Sequence, residues 1–555
     1  MIINDLLNKE KKGEITEEEI FLCIKKNRKF YEKKVNFYLS KINISNATPI
    51  WWAFNFTSKN PLNSNFFEKL MIALALIDIH KKNSKKKINY NNLTYGQRSI
   101  INQYFNTKRQ YFVKSLYNFF FNNIFFQYLK IIYLLFEIFF SFFKIKDKSK
   151  GVNVLLFSYI DNVERKDRDF YFGNLLNKIK KDFPKKKVSY LFYLYRPFFK
   201  MKRCLSNEKA NYSFIFNHLN LIDYIWTFVH TININFLKIK GVKFIYRDKI
   251  ISLKEILKEN MKSELSKGYF NNLLVFRASK RLRNTPELET IIYPFENKSL
   301  EKLINIGLSD KIKTVGYQHS SLTPRHFSFV MNDDEINITP LPHKVITLGE
   351  ITKRWLIKKC NFPSNKVIKG VALRQSKINP IFKKTFSSKK AKLLFVFSSS
   401  TYEITKSIEV LKNISIKYNF KYRFRFHINF PIERLSMKHQ RWIKSNTNVA
   451  EKNTLIEDLK WTDITIYISS TVALESLFCG IPVIRLDIDK YNSDPLLNEK
   501  IPFKWNANSA RDLINSIYEI SYLSDKERNE RSLKGQNFAS SYMIPDKFLK
   551  TEIFL

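Results

Sequence analysis

The sequence predicts an α/β protein with two parallel sheets and a mainly helical region before them. From residue 151 onward, short apolar runs of strand length alternate with stretches of helical length, which is typical of βαβ units. The alternation restarts after the PLPH segment at 340–343, and this restart predicts a second sheet. We therefore expect a helical extension over 1–150 and Rossmann-like domains over 151–338 and 339–555, facing each other across a cleft.

The predicted strands are short apolar runs bounded by polar residues. In the first domain they lie at 152–159, 188–195, 242–247, 290–295 and 312–319. In the second domain they lie at 344–349, 366–371, 392–398, 422–427, 464–469 and 482–486. Ligands of such sheets bind outside the carboxyl ends of the strands, so the residues that follow each run are the candidates for a site.

The helical extension contains one possible membrane segment. Residues 112–145 are very apolar but are interrupted by Asn122, Asn123, Lys130 and Glu137, so no charge-free stretch reaches the ~18–20 residues of a spanning helix. Lysines flank the segment on both sides, which fits an interfacial helix on anionic lipid as well as a buried helix. The N-terminus lacks the apolar core of a signal peptide. We expect a cytoplasmic protein, peripheral on the inner face of the membrane.

Composition excludes several classes of protein. Of the 555 residues, 44% are hydrophobic and 15% aromatic, which excludes global disorder. The four cysteines lie far apart without a CxxC pair, which excludes a disulfide scaffold and a zinc finger. The net charge of +45 attracts phosphate in nucleotides, nucleic acid or lipid. The codon usage of an AT-rich genome would also inflate lysine, so charge alone identifies no partner.

The strongest motif is the segment 464–486, in which an apolar run ends in three hydroxyl residues and a helix begins. The hydroxyls are Ser469, Ser470 and Thr471. Such residues cap the free N–H groups of a helix start, and the same groups can bind phosphate. Glu475 follows Thr471 by four residues and so faces the same side of the helix. An ordinary strand–helix–strand unit is the alternative interpretation.

Two further strand ends in the second domain carry polar residues. The run RFRFH ends at His427, where an imidazole would face the cleft and could neutralise a phosphate leaving group. The loop FSSSTYE contains Ser398 and Ser399 directly after another run. These hydroxyls either receive a phosphate or cap the helix that follows.

The first domain contains a candidate proton acceptor. Glu296 follows one predicted strand, and His319 ends the next. Neighbouring parallel strands would place the two side chains on one rim of the cleft, where either could take a proton from a hydroxyl nucleophile. A helix-start carboxylate and an ordinary strand-end histidine are the alternatives, but the two together favour a site. Gln318 and Arg325 lie beside this pair in the sequence.

The Ser-Ser-Thr motif with its following glutamate resembles the sugar-nucleotide site of GT-B glycosyltransferases. That resemblance implies that Ser469, Ser470 and Thr471 bind phosphate and that Glu475 contacts ribose or sugar. A histidine followed about 40 residues later by a serine pair is similar to bacterial sialyltransferases and Kdo transferases. Here Ser469 follows His427 by 42 residues, although Ile428 stands where those enzymes have proline. The resemblance favours a CMP-linked ulosonic acid as donor.

Across residues 50–490 the chain also resembles a family of bacterial surface-carbohydrate biosynthesis proteins. The resemblance is carried by WWAFNFTSKNP, FSYIDNVERKDRDFYFGNLL, YPFENKSLEKL and GYQHSS. It implies the GT-B fold and transfer of sugar to a growing capsule, lipopolysaccharide or other surface glycan. It also implies cleft positions for a further set of residues. These are Lys59, Asn162, Tyr171, Gly173 and Arg277.

The predicted reaction is inverting and independent of a metal or other cofactor. Asp487 and Asp489 follow a strand of the second domain, which is the wrong half for a metal-binding DxD pair. Histidine, hydroxyls and a helix end would carry the leaving-group charge. We expect a nucleotide-sugar donor, a glycan or lipid-linked acceptor and an anionic membrane surface as partners, and no nucleic acid.

Three other functions stay open. A polyol-phosphate transferase of the teichoic-acid type has the same fold and takes a CDP-activated donor. A nucleic-acid-binding protein is suggested only by the net charge of +45, without a recognisable binding motif. A non-catalytic membrane scaffold would rest on residues 112–145.

Overall fold

The structure is a computed structural model that describes most of the chain. The described residues are 13–107, 132, 151–160, 169–194, 212–374, 391–398, 400–415, 420–427, 430, 432–446, 448–449, 453–489 and 491–555. The apolar segment 112–145 therefore lies outside the described residues, apart from position 132. The candidate site residues Asn162 and Ser399 also lie outside them.

Fifteen strands are present in the described part of the chain. They are β1 (Val154–Ile160), β2 (Val188–Leu194), β3 (Tyr212–Phe214), β4 (Lys243–Tyr246), β5 (Lys249–Ser252), β6 (Thr290–Pro294), β7 (Lys313–Tyr317), β8 (Lys344–Thr347), β9 (Val367–Lys369), β10 (Lys392–Val396), β11 (Lys421–Arg425), β12 (Asn448–Val449), β13 (Ile464–Tyr467), β14 (Val483–Leu486) and β15 (Lys504–Ala507).

The α-helices of the same residues are numbered in chain order. They are α1 (Glu17–Lys26), α2 (Arg28–Asn46), α3 (Pro49–Trp52), α4 (Phe66–Lys82), α5 (Tyr95–Phe105), α6 (Leu175–Asp182), α7 (Leu221–Ile232), α8 (Lys254–Glu264), α9 (Phe270–Leu282), α10 (Ser299–Leu308), α11 (Asp333–Ile336), α12 (Glu350–Cys360), α13 (Thr401–Ser415), α14 (Met437–Asn446), α15 (Leu455–Trp461), α16 (Val472–Phe478), α17 (Ala510–Ser521) and α18 (Asp525–Tyr542).

The strands form two parallel sheets of the Rossmann type. The first has the order β3-β2-β1-β6-β7-β8-β9 and the second β12-β11-β10-β13-β14-β15. In each sheet the chain starts at a central strand, moves to one edge and then returns to the other side, which creates a switch point where ligands bind. Strands β6, β13 and β14 are buried along their whole length, because helices cover both faces. The predicted fold is therefore confirmed, with the two sheets that the resemblance to GT-B enzymes implied.

The predicted domain boundary at 338 is wrong. Strands β8 and β9 were assigned to the second domain, but β8 pairs with β7 and β9 pairs with β8 in the first sheet. The second sheet begins only at β10. Alternation of strands and helices continues unchanged across the boundary, so the pattern does not show which sheet a strand joins.

A second correction concerns residues 242–247, which were predicted as a strand of the parallel sheet. They form instead an antiparallel hairpin of β4 and β5, outside both large sheets. Arg247 in the two-residue turn has a φ of 54°, as tight hairpin turns require. Tyr246 and Ile251 of the hairpin are fully buried, against the core of the N-terminal helices.

The described part of the N-terminal region, residues 13–107, is helical as predicted, but it is not a separate extension. Helices α1 and α5 begin with capping boxes at Thr16 and Thr94. The helices share one apolar core with the hairpin and with α8 and α9. Helix α1 also reaches the second sheet, where Lys25 Nζ donates a hydrogen bond to the Asp487 carbonyl at 2.5 Å.

The C-terminus returns from the second domain to the first. The Tyr542 hydroxyl accepts a hydrogen bond from the Leu322 N–H at 2.7 Å, and the Ala372 N–H donates to the Ile544 carbonyl at 2.8 Å. The predicted second domain over 339–555 therefore ends in a segment that stabilises the first. Within the described residues, no helix combines the length and apolarity that crossing a bilayer requires.

Candidate active site between the two sheets

Glu296 and His319 lie side by side at the carboxyl edge of the first sheet. Glu296 follows β6 and His319 follows β7, two strands that pair directly. Nε2 of His319 is 3.5 Å from Oε1 of Glu296, and the Glu296 carboxylate also forms an ion pair with Lys298. The edge of the His319 ring contacts the ring of Tyr171, with 4.9 Å between the ring centres. The structure thus brings together the two residues that were predicted to take the proton.

The loop that carries Glu296 is fixed by a second carboxylate. Glu301, in the first turn of α10, accepts hydrogen bonds from the N–H groups of Glu296 and Lys298 at 2.9 and 3.1 Å. Asn297 takes a left-handed conformation with φ 56°, which turns the chain, and its side-chain amide donates to the Ser328 carbonyl. Glu301 and Asn297 therefore fix the backbone of the loop, and with it the position from which the Glu296 side chain extends.

The electrostatics of the pair set its charge state. Burial would raise the pKa of Glu296, but Lys298 and His319 outweigh burial and lower this pKa to about 2. Burial lowers the pKa of His319 to about 4, although Glu296 opposes the shift. Near pH 7 the carboxylate is therefore charged and the imidazole neutral. Nδ1 of His319 is buried and has no hydrogen-bond partner among the described residues, so its lone pair is unused when Nε2 carries the hydrogen that faces Glu296.

In the second sheet, a buried carboxylate joins two of the predicted serines. The hydroxyls of Ser398 and Ser469 donate to the same oxygen, Oε2 of Glu403, at 2.6 and 2.7 Å. Burial raises the pKa of Glu403. A hydroxyl has one proton to donate, and these two are used by Glu403. Ser398 and Ser469 thus tie the ends of β10 and β13 together.

Glu403 was not among the predicted site residues, although its position contained a signal. Glu403 stands three residues after Ser400 at the start of α13, and its N–H donates to the Ser400 hydroxyl at 3.4 Å. This is the spacing of a capping box. The spacing would have indicated a capping residue, but not its contact with Ser469 on another strand.

The remaining motif residues of the second sheet are more accessible. The Ser470 hydroxyl accepts a hydrogen bond from the Val472 N–H at 3.4 Å, and its own proton has no acceptor among the described residues. Thr471 is exposed and makes no side-chain cap of α16. His427, just beyond β11, is also exposed.

Arg374 connects the two halves of the site and was not predicted. It lies five residues beyond β9, with its guanidinium 3.9 Å from the ring centre of Phe170. Its charge acts on His319 in the first half and on His427 in the second, while the carboxylate of Glu475 acts on Arg374. The Arg374 side chain is accessible to solvent, although the surrounding protein lowers its pKa by burial. It was missed because β9 was assigned to the wrong sheet.

Arg325 forms a second connection between the halves. Its guanidinium lies 4.6 Å from the ring centre of Tyr491, and its charge acts on Glu403. Arg325 helps to line a cavity of about 160 Å³. The other lining residues are Glu68, Ser400, Tyr402, Glu403, Asp489, Tyr491 and Ser493. Residues of the N-terminal helices and of both sheet domains therefore line this cavity, and the acceptor or cleft role predicted for Arg325 stays a prediction.

Three other predicted cleft residues have structural roles instead. Lys59 forms an ion pair of 2.6 Å with Glu335, and both side chains are only 1% exposed. Arg277 pairs with the buried Asp223 at 2.6 Å. Gln318 is buried, and its amide oxygen accepts a hydrogen bond from the Leu348 N–H at 3.2 Å. The polar groups of these side chains already bind other groups of the protein, which the sequence alone does not reveal.

The two remaining residues of the resemblance are close to the site. Tyr171 contacts His319, as described above. Gly173 has a φ of 54° and leaves no room for a Cβ atom, which would collide with the Leu373 carbonyl. Gly173 therefore allows the chain beside Arg374 to approach closely. Among the described residues, no three His, Cys, Asp or Glu side chains are grouped so that they could hold a metal ion.

Comparison with known proteins gives only distant structural similarities. No protein-family model matches the chain, and no curated protein matches it. Anabaena HepE in complex with UDP is 10% identical, with a TM-score of 0.40, over 73% of this chain and 97% of HepE. The UDP-GlcNAc 2-epimerase of Neisseria meningitidis is 13% identical, with a TM-score of 0.40, over 72% and 98% of the two chains. Acinetobacter baumannii MurG is 9% identical, with a TM-score of 0.37, over 69% and 95%. Similarity at this level identifies no substrate.

Proposed function

We propose that this protein is a glycosyltransferase that binds a nucleotide-activated sugar in the cleft between its two sheets. One observation carries the proposal. Arg374 is close enough for its charge to act on His319 at the first sheet and on His427 at the second, and the Glu475 carboxylate acts on Arg374 in turn. This nearness supports a site in which His319 accepts a proton and Arg374 offsets the charge of a phosphate leaving group.

In the proposed reaction, the neutral imidazole of His319 takes the proton of the acceptor hydroxyl. The hydroxyl oxygen attacks the anomeric carbon, and the bond from that carbon to the phosphate oxygen breaks. The electron pair leaves with the nucleotide phosphate, next to Arg374. Glu296 stabilises the imidazolium that forms, as a carboxylate does beside a catalytic histidine. Direct attack inverts the anomeric configuration, and the arginine offsets the developing charge without requiring a metal.

The donor side is proposed from accessible groups on the second sheet. Ser470 and Thr471 would donate hydroxyl protons to the phosphate, and Glu475 would contact ribose or sugar. Ser398 and Ser469 would act indirectly, because their protons are bound to Glu403. We propose a CMP-linked ulosonic acid as donor on the basis of the His427 and Ser469 spacing. A CDP-activated polyol is the second candidate, since the same cleft would hold its phosphates.

A ligand screen followed by a turnover assay tests the proposal. Thermal unfolding is measured with CMP, CDP, UDP and GDP, since a ligand at a hundredfold excess over Kd stabilises the folded state by about 2.7 kcal/mol. Release of CMP from CMP-sugars is then compared with turnover of CDP-glycerol. Stabilisation by none of the nucleotides, together with salt-sensitive binding of nucleic acid, would contradict the proposal.

Removing the Arg374 guanidinium is expected to weaken nucleotide binding. A hydrogen bond to a charged group contributes about 1.5–3 kcal/mol, so Arg374→Ala should raise Kd roughly 10- to 150-fold. The measurement is calorimetric titration with the nucleotide that stabilises the protein best. Arg354→Ala is the control, because Arg354 is an exposed arginine on α12. Equal Kd values for the two variants would remove Arg374 from the donor site.

The pH profile is expected to report the low pKa of His319. A histidine that acts as base must be neutral, and the pKa of His319 lies at about 4. We therefore expect kcat/KM to stay level from about pH 7 to 5 and to fall as the pH drops through about 4. Circular dichroism at each pH checks that the protein stays folded. A decline centred near 6.5, the value for an unperturbed histidine, would contradict a base with the lowered pKa of the buried His319.

The acceptor and the location of the reaction follow from the resemblance alone. We propose that the acceptor is a growing cell-surface polysaccharide or glycolipid and that the protein works at the inner face of the cytoplasmic membrane. Incorporation of labelled sugar into lipid-extractable or polymeric material separates the two kinds of acceptor.

A further inference from the structure

Helix α7 exposes one apolar side to solvent, although Tyr224, Trp226 and Phe228 on its other sides pack against the apolar cores. Its buried residues are Asp223, Thr227 and Thr231. Asp223 forms ion pairs with Arg277 at 2.6 Å and Arg281 at 3.1 Å. The two threonine hydroxyls donate to carbonyls one turn earlier, each at 2.8 Å. The polar groups of Asp223 and of both threonines therefore have partners, which offsets the cost of burying them.

The outer side of α7 is a continuous apolar stripe. It consists of Ile222, Ile225, Val229, Ile232 and Phe236, which are 39–81% exposed. These residues are spaced alternately by three and four positions, so they share one face of the helix and of the short 3₁₀ turn that continues it. Monomeric soluble proteins rarely expose apolar side chains in such contiguous patches, and those patches usually mark a contact surface.

The β4–β5 hairpin adds a second exposed apolar element. Ile245 and Ile250 stand directly opposite each other in its register and are 66% and 67% exposed. The chain between the stripe and the hairpin packs on the same core as α7, through Leu237 and Val242. The stripe and the hairpin are therefore anchored to the same apolar core.

The surface around these apolar residues is positively charged. Lys238, Lys240, Lys243 and Lys249 are all exposed. The single carboxylate in residues 212–247 is Asp223, which is buried and paired with two arginines. Asp248 in the hairpin turn pairs with Lys81 at 3.0 Å. The surface thus combines large exposed apolar side chains with an excess of positive charge from its lysines.

We propose that this surface, the stripe with the hairpin tip and its lysines, docks on an anionic lipid bilayer. Lipid phosphates would attract the lysines, while the stripe enters the boundary between head groups and acyl chains. Two other occupants of this surface would be residues 112–150 of the chain and a second copy of the protein, and charge disfavours both. Residues 112–150 contain six lysines and two carboxylates, so they would repel the lysines of the surface. A second copy would bring the same lysines face to face. The inference deepens the membrane part of the proposed function and names a surface for it.

Flotation of the full-length chain with vesicles tests this inference. Vesicles of phosphatidylcholine, with and without about a third phosphatidylglycerol, are mixed with the wild type and two variants. The stripe variant is Ile222→Ser with Ile225→Ser and Val229→Ser, and the charge variant is Lys238→Glu with Lys240→Glu. The controls are Met437→Ser with Leu533→Ser, and Lys526→Glu with Lys534→Glu, which change equally exposed residues elsewhere.

We expect the wild type to float with anionic vesicles and to be released by salt. Each lysine near anionic lipid contributes about 1 kcal/mol, a factor of about five in partitioning, so the charge variant should bind vesicles more than tenfold less. The stripe variant should also bind more than tenfold less, because it loses three apolar side chains that would be buried at the lipid boundary. The control variants should bind as the wild type does. No flotation of the wild type, or equal flotation of surface and control variants, would overturn the inference. Stripe-dependent dimers in sedimentation would assign the surface to a second copy instead. No donor is present, so the result is independent of the proposed transfer reaction.

Discussion

Replacing Glu296 by glutamine is expected to lower kcat by about 10²–10⁴-fold, the usual contribution of a positioned acid–base group. The amide keeps the shape of the side chain but loses the charge that faces Nε2 of His319 at 3.5 Å. The imidazolium formed during proton transfer then lacks its partner, in a site where burial already disfavours the charged ring. Nucleotide affinity should change little, because Glu296 lies on the first sheet and the donor site on the second.

The measurement is steady-state turnover together with nucleotide Kd for each variant. Glu350→Gln is the matched control, since Glu350 is an exposed carboxylate at the start of α12. If Glu296 and His319 act as one unit, the double variant with His319→Gln should be no slower than the slower single variant. Full turnover of Glu296→Gln would leave His319 acting alone, and full turnover of both single variants would disprove the catalytic assignment.

Replacing Lys59 by methionine is expected to cost about 3–5 kcal/mol of folding free energy. The ion pair with Glu335 is buried, and removing one member of such a pair leaves an uncompensated charge. Lys302 also acts on Glu335, although burial lowers the pKa of Lys302 to about 7. Loss of Lys59 would favour the charged form of Lys302, which could then partly neutralise Glu335. The loss of folding free energy should therefore lie toward the lower end of this range. Nucleotide affinity should be unchanged.

Urea unfolding measures this cost, and the chain provides a matched control. Lys41 pairs with Asp334, the neighbour of Glu335, at 2.8 Å, but these side chains are 43% and 68% exposed. Lys41→Met should therefore cost less than about 1 kcal/mol. If the two variants had equal stability, or if Lys59→Met weakened nucleotide binding, the structural role of Lys59 would be contradicted and its predicted cleft role restored.

The candidate site shows which inferences from sequence were sound. Glu296 and His319 were found because each follows an apolar run, and residues that follow parallel strands share one edge of a sheet. Lys59 and Arg277 were placed in the cleft by resemblance, but ion pairs with Glu335 and Asp223 bury them in the protein. A sequence pattern shows that a charged residue is present. Only the fold shows whether another charge has already neutralised it.

Two residues of the site could not be found from the sequence. Glu403 accepts a hydrogen bond from the hydroxyl of Ser469, which is 66 positions away in the sequence. Arg374 could be recognised as a candidate only after the structure placed β9 in the first sheet. Contacts between distant positions depend on strand order, and several strand orders are compatible with the same alternation of apolar runs.

The sequence by itself determined the α/β class, the two parallel sheets and the helical N-terminal region. These features follow from local apolar periodicity and capping residues, which act within a few positions of the chain. Tertiary structure alone decided the sheet to which β8 and β9 belong, the return of the C-terminus to the first sheet and the placement of Arg374 between two histidines. It also decided that helix α7 exposes a stripe of apolar side chains to solvent. The reason is that burial and pairing are properties of surfaces brought together from distant positions, and local periodicity contains no record of them.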